Sequence, residues 1–279
     1  MTIAEIPSEN TPPLRHAKTE GGGTISYREA GTGPVLVLLH GLNGNSKSWA
    51  FQFGGLASDF RVIAWDAPGY GQSDLVASAA AAYAAQLAHL LDYLSLNRVF
   101  VLGHSMGGVV AGAFCGLYPH RAERLVLSCT HWGNAVPQGA PLANKYAKRL
   151  IDLKELSPID YGRARATRML PPSADEAVIE RVASIAMDTQ PDGLRTAGQM
   201  VEKADNRPLL SGLTLPVLII AGEKDTVVTP ERSFAMREHI AASSCVTLPG
   251  VGHAPYLEAP AAFNDAVREF LQTGKTNGR

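Results

Sequence analysis

Val99-Phe-Val-Leu-Gly-His-Ser-Met-Gly-Gly-Val-Val110 runs from a continuously apolar stretch through Gly103-His104-Ser105-Met106-Gly107 and out into the helix-forming segment Val109 to Phe114. This is the context that gives the short pattern G-x-S-x-G a meaning: a strand, a turn too tight for a Cβ on either side of the serine, and a helix. The spacing predicts that Ser105 is held in a strained conformation with its Oγ exposed, a nucleophile elbow.

A serine hydroxyl is a weak nucleophile at neutral pH, so the elbow needs a base and a carboxylate to orient it. Both occur downstream. After the apolar run Pro216 to Ala221 comes Gly222-Glu-Lys-Asp225, which places Asp225 on the loop at a strand's C-terminal end. After a further strand near Cys245 to Leu248 comes Gly250-Val-Gly-His253, with Gly252 expected to let the backbone turn His253 inward. The order Ser105, Asp225, His253 differs from that of the chymotrypsin and subtilisin folds.

With His40-Gly41 after the strand Val35 to Leu39, the turn Asp66-Ala-Pro-Gly-Tyr-Gly-Gln-Ser73, GHSMGG, GEKD and GVGH all in order, the chain resembles the α/β-hydrolase superfamily over nearly its whole length. The resemblance implies a mostly parallel eight-stranded sheet flanked by helices, with a helical cap inserted. It is similar in look to the 3-oxoadipate enol-lactonase and carboxylesterase-like branch. Ring-fission diketone hydrolases often carry Asn where this chain has His104. Epoxide hydrolases and dehalogenases use aspartate at the elbow, where this chain has Ser105.

An oxyanion intermediate needs backbone N–H donors, each commonly worth about 3 to 4 kcal/mol of barrier. One is the Met106 amide, directly after the nucleophile at a helix N-terminus. By resemblance to single-glycine members, the other is the Leu42 amide, with the Asn43 side chain as an alternative donor into the pocket. His40 and His104 are read as residues that brace loops. Asp66 is read as the pin of its own turn, and Glu223 as the more plausible rival to Asp225. The remaining histidines show no metal-site spacing such as H-E-x-x-H.

Composition narrows the class. The 279 residues suffice for one large α/β core with an excursion, and a net charge of −1 supplies no general field for nucleic acid or an anionic membrane. Met1 to Lys18 shows neither a basic region followed by an apolar core nor a lipidation motif, and no run reaches membrane-spanning length. Cys115, Cys129 and Cys245, an odd number in apolar contexts, read as reduced thiols, consistent with a cytoplasmic location. Without a glycine-rich dinucleotide fingerprint or a P-loop, no cofactor is expected.

Strands are expected near 35–39, 62–65, 98–102, 124–129, 216–221 and 244–248, after a hairpin over 14–29 that turns at Gly21 to Gly23. Tyr83, Leu87, Leu90, Leu91 and Leu94 form a helical core stripe, and a closing helix spans Pro260 to Leu271. A crossover needs about a dozen residues, so the much longer segment before Pro216 is an added cap. The division is core at 1–132 and 211–279, cap at 133–210. Ser173-Ala-Asp-Glu176 has capping-box spacing. Lys145, Lys148, Arg149, Arg163, Arg165, Arg168, Arg181, Arg195, Lys203 and Arg207 are nearly balanced by acids, which reads as a solvated exterior; one inward arginine would suffice to hold a substrate carboxylate. Trp132, at the sheet's C-terminal edge, is the leading pocket residue, with a cap-anchoring role as its equal alternative.

The sequence thus points to a serine hydrolase of a small ester or (enol-)lactone. A carbon–carbon bond hydrolase and a small-molecule receptor with a slow triad are the alternatives. Substrate identity and oligomeric state are not legible.

Overall fold

The computed structural model describes residues 11–19, 21–137 and 139–275; most of the stretch read above for a leader lies outside them. Eight strands make one sheet: β1 (Arg15–Lys18), β2 (Thr24–Ala30), β3 (Val35–Leu39), β4 (Arg61–Trp65), β5 (Val99–His104), β6 (Ala122–Ser128), β7 (Val217–Gly222) and β8 (Ser243–Leu248). Their spatial order is β1-β2-β4-β3-β5-β6-β7-β8. The β1–β2 and β2–β4 pairings are antiparallel and the rest are parallel.

The apolar runs are continuous because β3 to β7 are covered on both faces. Val37, Val101, Leu125 and Ile219 face one core, shared with the helices α2 (Ala80–Tyr93) and α3 (Met106–Leu117). Leu36, Leu102, Val126 and Leu218 face the other, shared with α1 (Ala50–Leu56) and the closing helix, Pro260–Thr273. In α2 the expected stripe is realised, with Tyr83, Leu87, Leu90 and Leu91 wholly buried. Each such leucine contributes about 1.5 to 3 kcal/mol by leaving water.

Between β6 and β7 the chain forms α4 (Asn144–Glu155), α5 (Pro158–Met169), α6 (Glu176–Ala186), α7 (Pro191–Lys203) and α8 (Arg207–Ser211). After β7 come α9 (Pro230–Phe234), α10 (Pro255–Glu258) and α11 (Pro260–Thr273). The segment 133–210 is not of one kind. Its helix α8 lies on α3, where the Asn206 side chain donates to the Val109 carbonyl at 2.7 Å and Leu209 and Leu210 flank Gly116 and Gly112. Residues of α4, α5, α6 and α7 line the cavity beside Ser105.

Two local expectations are corrected. The N-cap of α6 is Asp175, whose side chain accepts from the Ala177 N–H at 2.9 Å, and not Ser173. Ser173 is inside a turn in which the Ala174 N–H bonds the Pro171 carbonyl, so it stands too early to cap. Gly252 does not have a positive φ; Gly250 does, at 72°. Gly252 is required by close approach, since a Cβ there would meet the Met169 carbonyl oxygen at 2.9 Å and Pro171 Cδ at 2.8 Å. No helix among the described residues is long and apolar enough to cross a membrane.

Candidate active site

Ser105 joins β5 to α3 with φ 53° and ψ −117°, a left-handed conformation that a non-glycine residue adopts only when its surroundings enforce it. The enforcement is visible. Its N–H donates to the Ser128 carbonyl at 2.9 Å, and its own carbonyl accepts from Thr130 Oγ1 at 2.6 Å. A Cβ at Gly103 would stand 2.3 Å from the Gly107 oxygen, and one at Gly107 would stand 2.1 Å from the Leu39 oxygen. The two glycines of the elbow are therefore steric necessities.

The loops after β7 and β8 bring the other two residues to this hydroxyl. His253 Nε2 lies 3.1 Å from Ser105 Oγ, and His253 Nδ1 lies 2.7 Å from Asp225 Oδ2. Asp225 Oδ1 accepts the N–H groups of Val227 and Val228 at 2.8 and 3.0 Å, which leaves Oδ2 for the imidazole. Both residues are buried. Glu223 is occupied elsewhere, its exposed carboxylate accepting the Gly250 N–H at 2.7 Å. Asp66 accepts from the Ser46 N–H and from Ser26 Oγ, which in turn accepts the Gln72 N–H, so its carboxylate ties the 66–73 turn to β2 and to the segment after β3.

Sequence reasoning missed Glu258. Its two oxygens accept the N–H groups of Gly252 and Ala254 at 2.8 Å each, clamping the backbone on both sides of His253. Burial pushes its carboxyl above the usual range. The available signal was an acid in the short helix that Pro255 opens directly after the histidine. The His253 N–H itself donates to the Met169 carbonyl at the end of α5, so the cap also grips this loop.

The oxyanion candidates lie where the chemistry needs them. The amides of Leu42 and Met106 flank the cavity beside Ser105, and neither donates to an acceptor within the described residues. The Leu42 loop is held rigid: Tyr70 Oη donates to the Leu42 carbonyl at 2.7 Å, and His40 bridges it to the next loop. His40 Nδ1–H donates to the Gly41 carbonyl, while Nε2 accepts the Ala67 N–H at 2.9 Å. Burial holds His40 below the usual histidine range, as this bridging tautomer requires.

His104 packs its ring 4.9 Å from that of His253 and 4.8 Å from that of Tyr256. Burial, and then the charge of His253, push it well below the usual range, so it remains neutral beside the base and leaves room for one imidazolium.

Two expected pocket residues have other work. Asn43 lines the cavity, but its Nδ2 already donates to Tyr161 Oη at 2.7 Å and Thr189 Oγ1 at 3.3 Å, tying the core to the cap. Trp132 is not among the lining residues. Its ring stands edge-on to His239 at 5.3 Å and its carbonyl accepts the Asn206 N–H at 2.9 Å, an anchoring position. Its neighbour His131 faces the cavity instead, and burial and the nearby Arg232 push its pKa down to about 3.

A metal grouping that spacing did not reveal does arise in space, with ligand atoms of Cys129, Asp225 and His253 within 4.8 Å of one another. Two of the three are already joined at 2.7 Å by the shared proton, and burial together with Asp225 raises the Cys129 thiol well above its usual range. The grouping is the Asp–His pair with a protonated thiol beside it. All three cysteines are free.

A family model described as the alpha/beta hydrolase fold matches residues 34–260. The chain is 32% identical over 290 aligned residues to an uncharacterized protein of Mycobacterium tuberculosis, an alignment covering 94% of this chain and 82% of that one. It is similar to the structure of a thermophilic esterase from Thermogutta terrifontis, with a TM-score of 0.82 and 29% identity over 93% of this chain and 98% of that one. It is likewise similar to the enol-lactonase from Burkholderia xenovorans, with a TM-score of 0.82 and 25% identity over 92% of this chain and 100% of that one. Taken with the elbow, the sheet order and the loops that meet above it, the match leaves one conclusion: the chain belongs to the alpha/beta hydrolase fold family.

Proposed function

We propose that this chain is a serine hydrolase that cleaves a small carboxylic ester or (enol-)lactone through an acyl-enzyme. The observation that carries the reading is the hydrogen-bonded series Asp225, His253, Ser105, at 2.7 and 3.1 Å, set beside two uncommitted amides. Ser105 Oγ attacks the substrate carbonyl while its proton passes to His253 Nε2. Asp225 stabilises the imidazolium, and the amides of Leu42 and Met106 receive the oxyanion. Collapse of the tetrahedral species releases the alcohol or enol, which takes the proton from His253. A water then gives its proton to the same nitrogen and attacks the acyl carbon, and collapse of the second tetrahedral species returns that proton from His253 to Ser105 Oγ and frees the acid.

Carbon–carbon cleavage needs a further donor at a second carbonyl, so that a carbanion can leave. Of the two candidates, Asn43 is engaged by Tyr161 and Thr189, which speaks for the ester reading, while a cap arginine does line the cavity and makes the comparison of substrates the deciding test. The esterase and the enol-lactonase named above share the architecture that supports it. The test is turnover of small aryl esters and enol lactones against ring-fission diketones at matched concentration. Esters are expected to react at least about tenfold faster, a barrier difference of roughly 1.4 kcal/mol. Faster diketone cleavage would overturn the reading, and a single turnover followed by arrest would identify a receptor. A fluorophosphonate should add its mass at Ser105.

A further inference from the structure

The cavity over Ser105, about 120 Å³, is lined by Lys145, Arg149, Arg165, Arg168 and Arg232, and by no aspartate or glutamate. The expectation of a solvated, paired exterior holds for other cap residues, such as Arg163 with Glu180 and Arg207 with Asp205, but not for this group. Lys145 reaches Glu202 at 3.7 Å and Arg165 reaches Asp152 at 3.1 Å, yet Asp152 is shared with Lys148 at 2.8 Å. Arg149, Arg168 and Arg232 form no ion pair among the described residues.

The inner members are the informative ones. The Arg165 side chain is 10% exposed, and its Nε–H is buried with no acceptor in the protein. Burial, and next the charge of Arg149, lower the Arg165 pKa even though Asp152 acts in the opposite direction. Arg149 is half-buried, with its guanidinium 5.6 Å from the centre of the Tyr146 ring. A packing role alone would be served as well by apolar side chains. Like charges gathered in a partly dry cavity with an unused donor call for an anion, and the planar guanidinium fork matches a carboxylate.

We propose that Arg149 and Arg165, with Lys145, Arg168 and Arg232 at the rim, form a subsite for a carboxylate carried by the substrate, a refinement that rests on esterolysis at Ser105. The preferred substrates are then half-esters of small dicarboxylic acids or lactones bearing a free carboxylate. The ester carbonyl is placed at Ser105 and the charged end under the cap.

Two measurements test this. In the first, proton release is followed for monomethyl glutarate and for methyl pentanoate, esters of similar length that differ in the terminal charge. The wild-type kcat/KM is expected to favour the anionic ester by about tenfold or more. Arg149→Met is expected to bring the ratio close to one, chiefly through KM, and Arg149→Lys to restore part of it. In the second, Ser105→Ala is titrated calorimetrically with monomethyl glutarate. Binding is expected, with weakening by about tenfold or more when Arg149→Met is added.

A wild-type ratio at or below one, or a preference unchanged in both Arg149→Met and Arg165→Gln, overturns the subsite while leaving esterolysis intact. Tight binding to Ser105→Ala without hydrolysis of either ester by the wild type would do the reverse, supporting the subsite and rejecting the reaction. If Arg165→Gln does not fold, the half-buried Arg149 decides the matter alone.

Discussion

The loops above the sheet and the helices that cover them handle charge in opposite ways. At the sheet edge the carboxylates and the loop histidine are committed: Asp225 to His253 and two amides, His40 to two backbone groups, Asp66 to Ser46 and Ser26. Under the cap, cations face the same cavity with fewer acids than they need. The first arrangement fixes a geometry for bond breaking whatever the substrate. The second, on the subsite proposed above, leaves cationic charge free for a ligand. On the function and subsite proposed above, reaction type and substrate choice are built on different parts of the chain, which the following experiments can separate.

The largest effects belong to the sheet edge. Ser105→Ala and His253→Ala are each expected to lower kcat by about a millionfold, leaving what binding and the oxyanion amides supply. Comparable turnover in either variant would remove the residue from the reaction. Asp225→Asn should lower kcat by about ten-thousandfold, because an amide favours the wrong imidazole tautomer. Glu223→Gln should change it by less than about twofold, and the opposite ranking would exchange the two acids.

Glu258 lies between the regions, since it holds the His253 backbone without touching the reacting atoms. Glu258→Gln retains one acceptor and introduces a donor against an amide. It should lower kcat by about ten- to a hundredfold with KM nearly unchanged, as a small misplacement of the base does. An equal loss in kcat and thermal stability with an unshifted pH–rate profile would mark Glu258 as merely structural.

The buried histidines give a pH test of stability. Burial lowers the pKa of His40, His104 and His131, in the last case to about 3. The unfolded chain binds protons at these residues below about pH 6.5 while the folded chain does not, so stability falls as pH drops, by up to roughly 1.4 kcal/mol per pH unit for each histidine. The contribution of His131 levels off only near its folded value, about 3. Urea midpoints measured between about pH 7 and 4 should show this slope, and His104→Gln should flatten it by one histidine's share. A slope unaffected by the substitution would mean that His104 charges in the folded state.

The smallest effect is expected at Trp132, which anchors the cap against His239. Trp132→Phe should alter kcat/KM by less than about threefold for either ester. A selective rise in KM would return the indole to the pocket.

Much of this was legible from order and local pattern. The apolar runs located the strands, G-x-S-x-G located the elbow, and Asp225 and His253 followed from lying on loops at strand ends, because a parallel sheet delivers all such loops to one edge. The bracing role that the resemblance implied is realised by His40, whereas His104, at the end of β5, packs on His253 and Tyr256 with its Nε2 unpartnered. What sequence alone determined, then, was the backbone scaffold and the residues whose position along a strand dictates their position in space.

Only the tertiary structure decided the rest. Whether Trp132 or His131 faces the cavity depends on how the chain turns after β6, where Cys129 and Ala135 take positive φ values that no local pattern announced. Asn43 was a free donor on paper until Tyr161, 118 residues away, claimed it. Arg149 and Arg165 belong to a segment, 133–210, whose acids nearly match its bases as a whole, and a balanced sum says nothing about direction. Which cations point inward is set by how α4 and α5 rotate against the cavity, a consequence of packing between elements that are distant from the sheet edge in sequence.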